Sequence, residues 1–190
     1  VGGKIMNENI IKIDTTNRKI NSFKYLLLYF LIYAFIGWLL ETFYALFTLG
    51  HFTNRGFLYG PICPIYGFGA IILILLLQKY KSNSFKLFFY SAIIFSIFEY
   101  IVGFALDALF AAKWWDYTND FMNLNGRISI FYSFAWGIIA ILFINHIHPF
   151  IEKCTNRIFK KIPEIYHIIL INTLLIILVV DTVFSCIKYL

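Results

Sequence analysis

The sequence predicts an all-α integral membrane protein: a five-helix transmembrane bundle with a re-entrant loop on its outer side and a two-helix internal repeat. Three observations predict it. The 190-residue chain is 61% hydrophobic and 21% aromatic, whereas a soluble domain has roughly 45–50% apolar residues. Its apolar residues fall in long continuous Leu/Ile/Phe runs, not in the short alternating segments of a barrel. Glu41, Glu99, Asp107 and Asp181 lie inside those runs, where a carboxyl group needs a partner or a watery cavity.

Residues 1–22 read as a polar tail and 23–190 as a single polytopic membrane domain. A spanning helix needs ~20 predominantly apolar residues, and runs at 25–49, 64–80, 87–112, 128–147 and 165–190 supply five. The first is too long for a signal peptide, has no small-residue cleavage site and carries a glutamate. The second is the shortest and opens on Pro64, a residue suited to the first turn of a helix.

The net charge of +6 is read as topology, not as a nucleic-acid footprint. Basic residues gather in the N-terminal tail (Lys4, Lys12, Arg18, Lys19), after the second run (Lys79, Lys81, Lys86) and after the fourth (Lys153, Arg157, Lys160, Lys161). The other two loops are poor in them, with Arg55 in one and Lys113 and Arg127 in the other. Positive loops stay cytosolic. The expected topology therefore has the N-terminus in the cytosol, the C-terminus outside, and loops 50–63 and 113–127 outside. Cys63, Cys154 and Cys186 lie on different sides in this topology and imply no disulfide framework. His146 and His148 fall at the cytosolic end of a span and read as interface residues.

The acids share a depth zone. Counted from the outer helix ends at ~1.5 Å per residue, Glu41 lies about eight residues in, Glu99 about twelve and Asp181 about nine. Asp107 follows Glu99 on the same helix face, nearer the outer surface. The outer loops supply complementary groups: Asn54 and Arg55 in one, and Trp115, Asp116, Tyr117, Asn125 and Arg127 in the other. Paired tryptophans such as Trp114 and Trp115 often form an interfacial belt, but so many Asn, Asp and Arg side chains exceed the needs of a connector. Glu41 and Glu99 are expected across one cavity, opposite Arg55 and Arg127, with Trp115 or Asp116 reaching into it. Four acids against two arginines would leave that site net acidic.

The stretch "NRGFLYGPICPIYGFG", residues 54–69, holds four glycines and two prolines yet is otherwise apolar. Residues 57–63 are too greasy for open water and too rich in Gly and Pro for a helix. Non-helical backbone at membrane depth is tolerated only where protein or a watery cavity surrounds it, so this stretch is expected to dip into the outer leaflet. A repeat accompanies it. "GWLLETFYALFTL", "TNRGF" and "YGFGA" of runs one and two correspond to "IFEYIVGFALDALF", "LNGRI" and "FAWGI" of runs three and four. Each unit has a Glu in its ascending helix, an outer loop with Asn, Gly and Arg, and a descending helix with an aromatic–Gly pair. The two units run in the same direction, and the fifth helix closes the bundle.

From about residue 31 to 143, the motifs "GWLLET", "NRGFLYGPICPIYGFGA", "WWDY" and "NLNGRI" resemble the family described as putative ABC-transporter type IV, the CmpB-like permeases. The resemblance implies a small bacterial plasma-membrane permease or transporter subunit. The residues themselves suggest an outward-facing, acid-lined pocket for a small polar or cationic solute. The alternative is a membrane-embedded enzyme acting on a lipid or lipid-linked headgroup, with a carboxylate as general base and an arginine on the anionic group. No serine–histidine or cysteine–histidine pair stands in the outer loops to serve it. No phosphate-cradling glycine loop is present, so an ATP-driven role needs a separate ATPase subunit. Membrane lipids and a second copy of the chain are the other expected partners, since five helices make a thin-walled pathway. Neither a cofactor nor a metal is expected: His51, Glu41, Glu99 and Asp116 match no defined ligand spacing.

Overall fold

A computed structural model of the chain describes side chains over residues 23–53 and 55–190; Val1, Asn54 and the side chains of residues 2–22, where a polar tail is expected, lie outside the described residues. Among the described residues six α-helices follow one another. Helix α1 spans Gly2–Leu49, with its apolar part at Phe23–Leu49. Helix α2, Pro64–Ile72, continues through a π-turn at Leu73–Leu77 and a 3-10 turn at Gln78–Tyr80. Then come α3, Ser84–Phe110, α4, Ile130–Leu142, a π-turn at Phe143–Ile147, α5, His148–Phe159, and α6, Glu164–Tyr189. Among the described residues four stretches are long and apolar enough to cross a membrane: Phe23–Leu49, Ser84–Phe110, Ile130–Phe159 and Glu164–Tyr189. The run Pro64–Tyr80 is a shorter apolar helix. The chain is thus an all-α, multi-pass membrane bundle.

Local chemistry sets several boundaries. Pro64 stands in the first turn of α2, where its missing N–H has no helical partner to lose. Asn83 caps α3 by accepting from the Lys86 backbone N–H. Ala111 closes the same helix in the left-handed region, at φ 48°. The fourth span runs on past the expected end at 147. Pro149 falls in the first turn of α5, directly after the π-turn, and so does not interrupt the helix.

The two halves are built alike. Helix α1 packs mainly on α2, and α3 mainly on α4. Tyr29, Tyr33, Gly37 and Glu41 are spaced by four on α1, as Leu87, Ser91, Phe95 and Glu99 are on α3, 58 residues later in each case. The descending helices match at a spacing of 70: Tyr66 with Trp136, Gly67 with Gly137, Ala70 with Ala140, and one π-turn with the other. Gly67 and Gly137 are buried against phenylalanines that also correspond. A β-carbon at Gly67 would stand 2.8 Å from the Phe30 carbonyl oxygen, and one at Gly137 would stand 2.5 Å from the Phe88 ring. The core gathers Tyr29, Leu73, Leu87, Phe95, Ala140 and Phe143 where these helices meet.

The segment after α1 descends into the bundle. The Cys63 backbone N–H donates to the Ala34 carbonyl at 3.0 Å, and Ala34 is fully buried. Ala34 lies fifteen residues before Leu49, about 22 Å along the α1 axis at ~1.5 Å per residue. Residues 57–63 cover that depth without a helical turn, with Leu58 and Cys63 buried. This explains why α2 starts late and is short.

Outside the core, Phe47, Phe104, Ile139, Leu170, Val179 and Phe184 are exposed, as expected of side chains whose solvent is lipid. One expectation is corrected. His148 is not an interface residue: it is 4% exposed, hydrogen-bonded through Nδ1 to the Tyr33 hydroxyl at 2.9 Å and stacked on Phe143. His146 remains exposed. His146 falls within the π-turn and His148 directly after it, at the start of α5.

The tight glycine contacts set an order of tolerance. Gly67→Ala should lower the melting temperature in detergent more than Gly137→Ala, because the Phe88 ring can turn aside and the Phe30 carbonyl cannot. Overpacking of this kind costs about 1–3 kcal/mol. Equal melting of both variants and the parent chain would remove the packing role.

Candidate functional site

In the first half, α1 presents Glu41 and α2 presents Tyr66. The Tyr66 hydroxyl donates to Glu41 Oε1 at 2.5 Å. Arg55, from the descending segment, brings Nη2 to 3.7 Å from Glu41 Oε2, with the two side chains 38% and 32% exposed. That separation is a charge contact, too long for a hydrogen bond. Beside this pair opens a groove of about 660 Å³. Phe57, Phe68, Phe98, Val102, Trp114 and Trp115 are among the residues that line it, with Lys113.

The second half holds the corresponding groups, closed up. Glu99 is buried. The Trp136 indole N–H donates to its Oε2 at 2.9 Å, and the Tyr117 hydroxyl donates to its Oε1 at 2.9 Å. Tyr117 stacks on Tyr132 with ring centroids 4.1 Å apart. Burial, then the Glu99 carboxylate, push the Tyr117 phenol above its ordinary range, so it stays a neutral donor. Arg127 pairs with Asp107 at 2.7 Å, and its guanidinium lies over the Phe104 and Tyr100 rings at 5.4 and 5.6 Å. The Trp115 indole N–H donates to the Arg127 carbonyl at 3.0 Å, and Asn125 donates to the Tyr100 hydroxyl at 2.9 Å.

Two acids have structural partners. Asp181 of α6 accepts from the backbone N–H of Tyr59 at 3.0 Å and of Gly60 at 2.8 Å, and from the Ser185 hydroxyl at 3.2 Å. A β-carbon on Gly60 would meet Asp181 Oδ2 at 2.8 Å, so glycine is needed for this approach. Helix α6 thereby clamps the descending segment, helped by Tyr189, which stacks on Phe57 at 5.2 Å. Asp116 is exposed and organises its own loop. It accepts from the Thr118 hydroxyl and from the Thr118 N–H at 3.0 Å, and it pairs with Lys113 at 3.3 Å. The Thr118 hydroxyl, then the Thr118 amide, hold its carboxyl below the usual aspartate range.

The groove therefore gathers Glu41, Arg55 and Trp115 from the residues singled out in the sequence. Glu99, Asp107, Asp116, Tyr117, Asn125, Arg127 and Asp181 are not among the described residues that line it. The Tyr66 hydroxyl lies within the electrostatic reach of both Glu41 and Glu99. Arg127, however, is spent on Asp107 and does not stand opposite Glu99. Sequence reasoning missed Tyr66 and Trp136 as the donors. The signal was present in the aromatic–Gly pairs of "YGFGA" and "FAWGI", read then as a mark of the repeat and not as hydrogen-bonding groups.

These contacts separate the two arginines. Arg127→Ala leaves the half-buried Asp107 without its partner and should cost about 2–4 kcal/mol in thermal unfolding. Arg55→Ala removes only a loose, exposed contact and should cost under about 1 kcal/mol. For Asp116, the depressed value means that its stabilising contacts are present at neutral pH and are lost as pH falls through that lowered value. An NMR titration should show Thr118→Val returning Asp116 toward about 3.9; an unmoved titration would contradict the turn.

The profile of the family described as "Putative ABC-transporter type IV" matches residues 28–186. Neither a curated protein nor a solved structure matches the chain. The family match takes in all four membrane-length helices almost to their ends, and with them both halves of the repeat and the groove. The chain belongs to the putative ABC-transporter type IV family.

Proposed function

We propose that the chain is the membrane-embedded permease of a transporter and that a small polar or cationic solute enters it through the groove beside Glu41. The observation that carries this reading is the groove itself. It sits where the re-entrant segment meets three helices, and it exposes a carboxylate and a guanidinium that hold each other only loosely. Among the described residues that line it Glu41 is the one acid, so solute recognition rests on that carboxylate and not on an acidic ring. With the basic loops in the cytosol, the groove opens outward. A separate ATPase subunit would engage the opposite end, where Lys153, Arg157, Lys160 and Lys161 lie on and beyond α5. A second copy of the chain would thicken the pathway wall.

Orientation and transport have separate tests. Thiol reagents added from outside should label Thr53→Cys and Asn119→Cys but not Ser82→Cys or Asn156→Cys; labelling of the Ser82 variant would invert the topology. Cells expressing the chain should take up the organic cation ethidium several-fold faster than cells with empty vector. Glu41→Gln should return uptake to the vector level at equal expression. Uptake indifferent to Glu41 would end the reading.

A further inference from the structure

The two halves correspond residue by residue, and one half shows what the other lacks. On the ascending helices Phe30, Glu41 and Tyr44 match Phe88, Glu99 and Val102. Val102 borders the groove beside Glu41. Its counterpart Tyr44 lies within electrostatic reach of Tyr132, beside Glu99. The groove in the first half therefore corresponds to the space beside Glu99 in the second. There that space is filled by the chain's own Tyr117, ring stacked on Tyr132 and hydroxyl donating to Glu99 Oε1. The inner donors also correspond, with Tyr66 on Glu41 and Trp136 on Glu99.

In the first half no described ring of the 50–63 loop reaches Glu41. Glu41 Oε2 has Arg55 at 3.7 Å and no hydrogen bond from any described residue. The open volume, about 660 Å³, falls within the range of ordinary small-molecule sites. Its walls are rich in rings, from Phe57, Phe98, Trp114 and Trp115, which favour a flat aromatic partner. We infer that the groove binds an aromatic molecule carrying an O–H or N–H donor, which takes at Glu41 the place that Tyr117 takes at Glu99. The ring lies among the groove aromatics and the donor hydrogen-bonds to Glu41 Oε2. The inference rests on the reading of this groove as the solute site, and it narrows the solute from any small polar molecule to this class.

The test is a 19F NMR titration of the full chain in detergent with 4-fluorophenol, a close analogue of the Tyr117 side chain, and with fluorobenzene, which lacks the donor. Binding of 4-fluorophenol should be saturable and about tenfold or more tighter, the worth of one hydrogen bond to a charged acceptor. Glu41→Gln should remove most of that preference and leave fluorobenzene binding unchanged. Glu99→Gln should leave the preference intact, because Tyr117 already occupies that place. Equal binding of the two ligands, or a preference that survives Glu41→Gln, would overturn the inference. Since Glu41→Gln also alters the Tyr66 contact, Phe98→Trp provides a second route. It should narrow the groove from the α3 side and weaken both ligands, and unchanged binding of both would place the site elsewhere. Ethidium uptake that ignores Glu41, alongside intact 4-fluorophenol binding, would overturn transport and leave the ligand class standing. Uptake that depends on Glu41 without any preference for 4-fluorophenol would overturn the ligand class alone.

Discussion

A carboxyl group in the middle of an apolar helix must be given a partner, and for the two glutamates this requirement joins neighbouring helices. In each half the donor is an aromatic side chain just before a glycine of the descending helix, Tyr66 for Glu41 and Trp136 for Glu99. The ring reaches the acid only if the helices approach closely. Glycine permits that on both sides: Gly67 and Gly137 lie against Phe30 and Phe88, and Gly37 leaves room for the Tyr66 ring. The hydrogen bond and the small-residue contact are therefore one device. Close packing of small residues is also what holds helices together where no hydrophobic driving force separates protein from solvent. The matching π-turns occur one stretch further along each descending helix, consistent with the same helical pair built twice.

The re-entrant segment obeys a related constraint. Its backbone groups have no regular ladder at depth, and unsatisfied N–H groups there are costly. Three find partners in helices: Tyr59 and Gly60 on Asp181, and Cys63 on the Ala34 carbonyl. Asp181 thus serves the loop as a helical carbonyl would serve the next turn, which accounts for an acid on a helix that is otherwise mostly exposed.

Much of the fold was legible because the membrane simplifies the physics. Length and hydropathy alone located the helices. The Gly/Pro-rich apolar stretch announced a backbone that could be neither helix nor wet loop. The site was legible only in outline. Counting four acids against two arginines suggested a shared acidic cavity, whereas Asp107 meets Arg127, Asp181 meets backbone and Glu99 meets two aromatic donors. Net charge could not reveal this, because neutral tyrosine, tryptophan and peptide N–H groups satisfy most of the acids. His148 was misjudged for a different reason: its place at the end of a span said nothing of the Tyr33 hydroxyl and the Phe143 ring that enclose it.

Duplication also explains why the acids end in such different states. Two copies of one helical pair need not both stay open. In the second copy the loop supplies its own tyrosine, the arginine is locked under two rings and onto Asp107, and the carboxylate is sealed. In the first, position 49, the counterpart of Asp107, is a leucine, so Arg55 has no second acid of that kind to hold it and stays near Glu41. A single change in acid placement between the repeats thus leaves one arginine structural and the other loosely held, and the groove opens on the side where the arginine is loose.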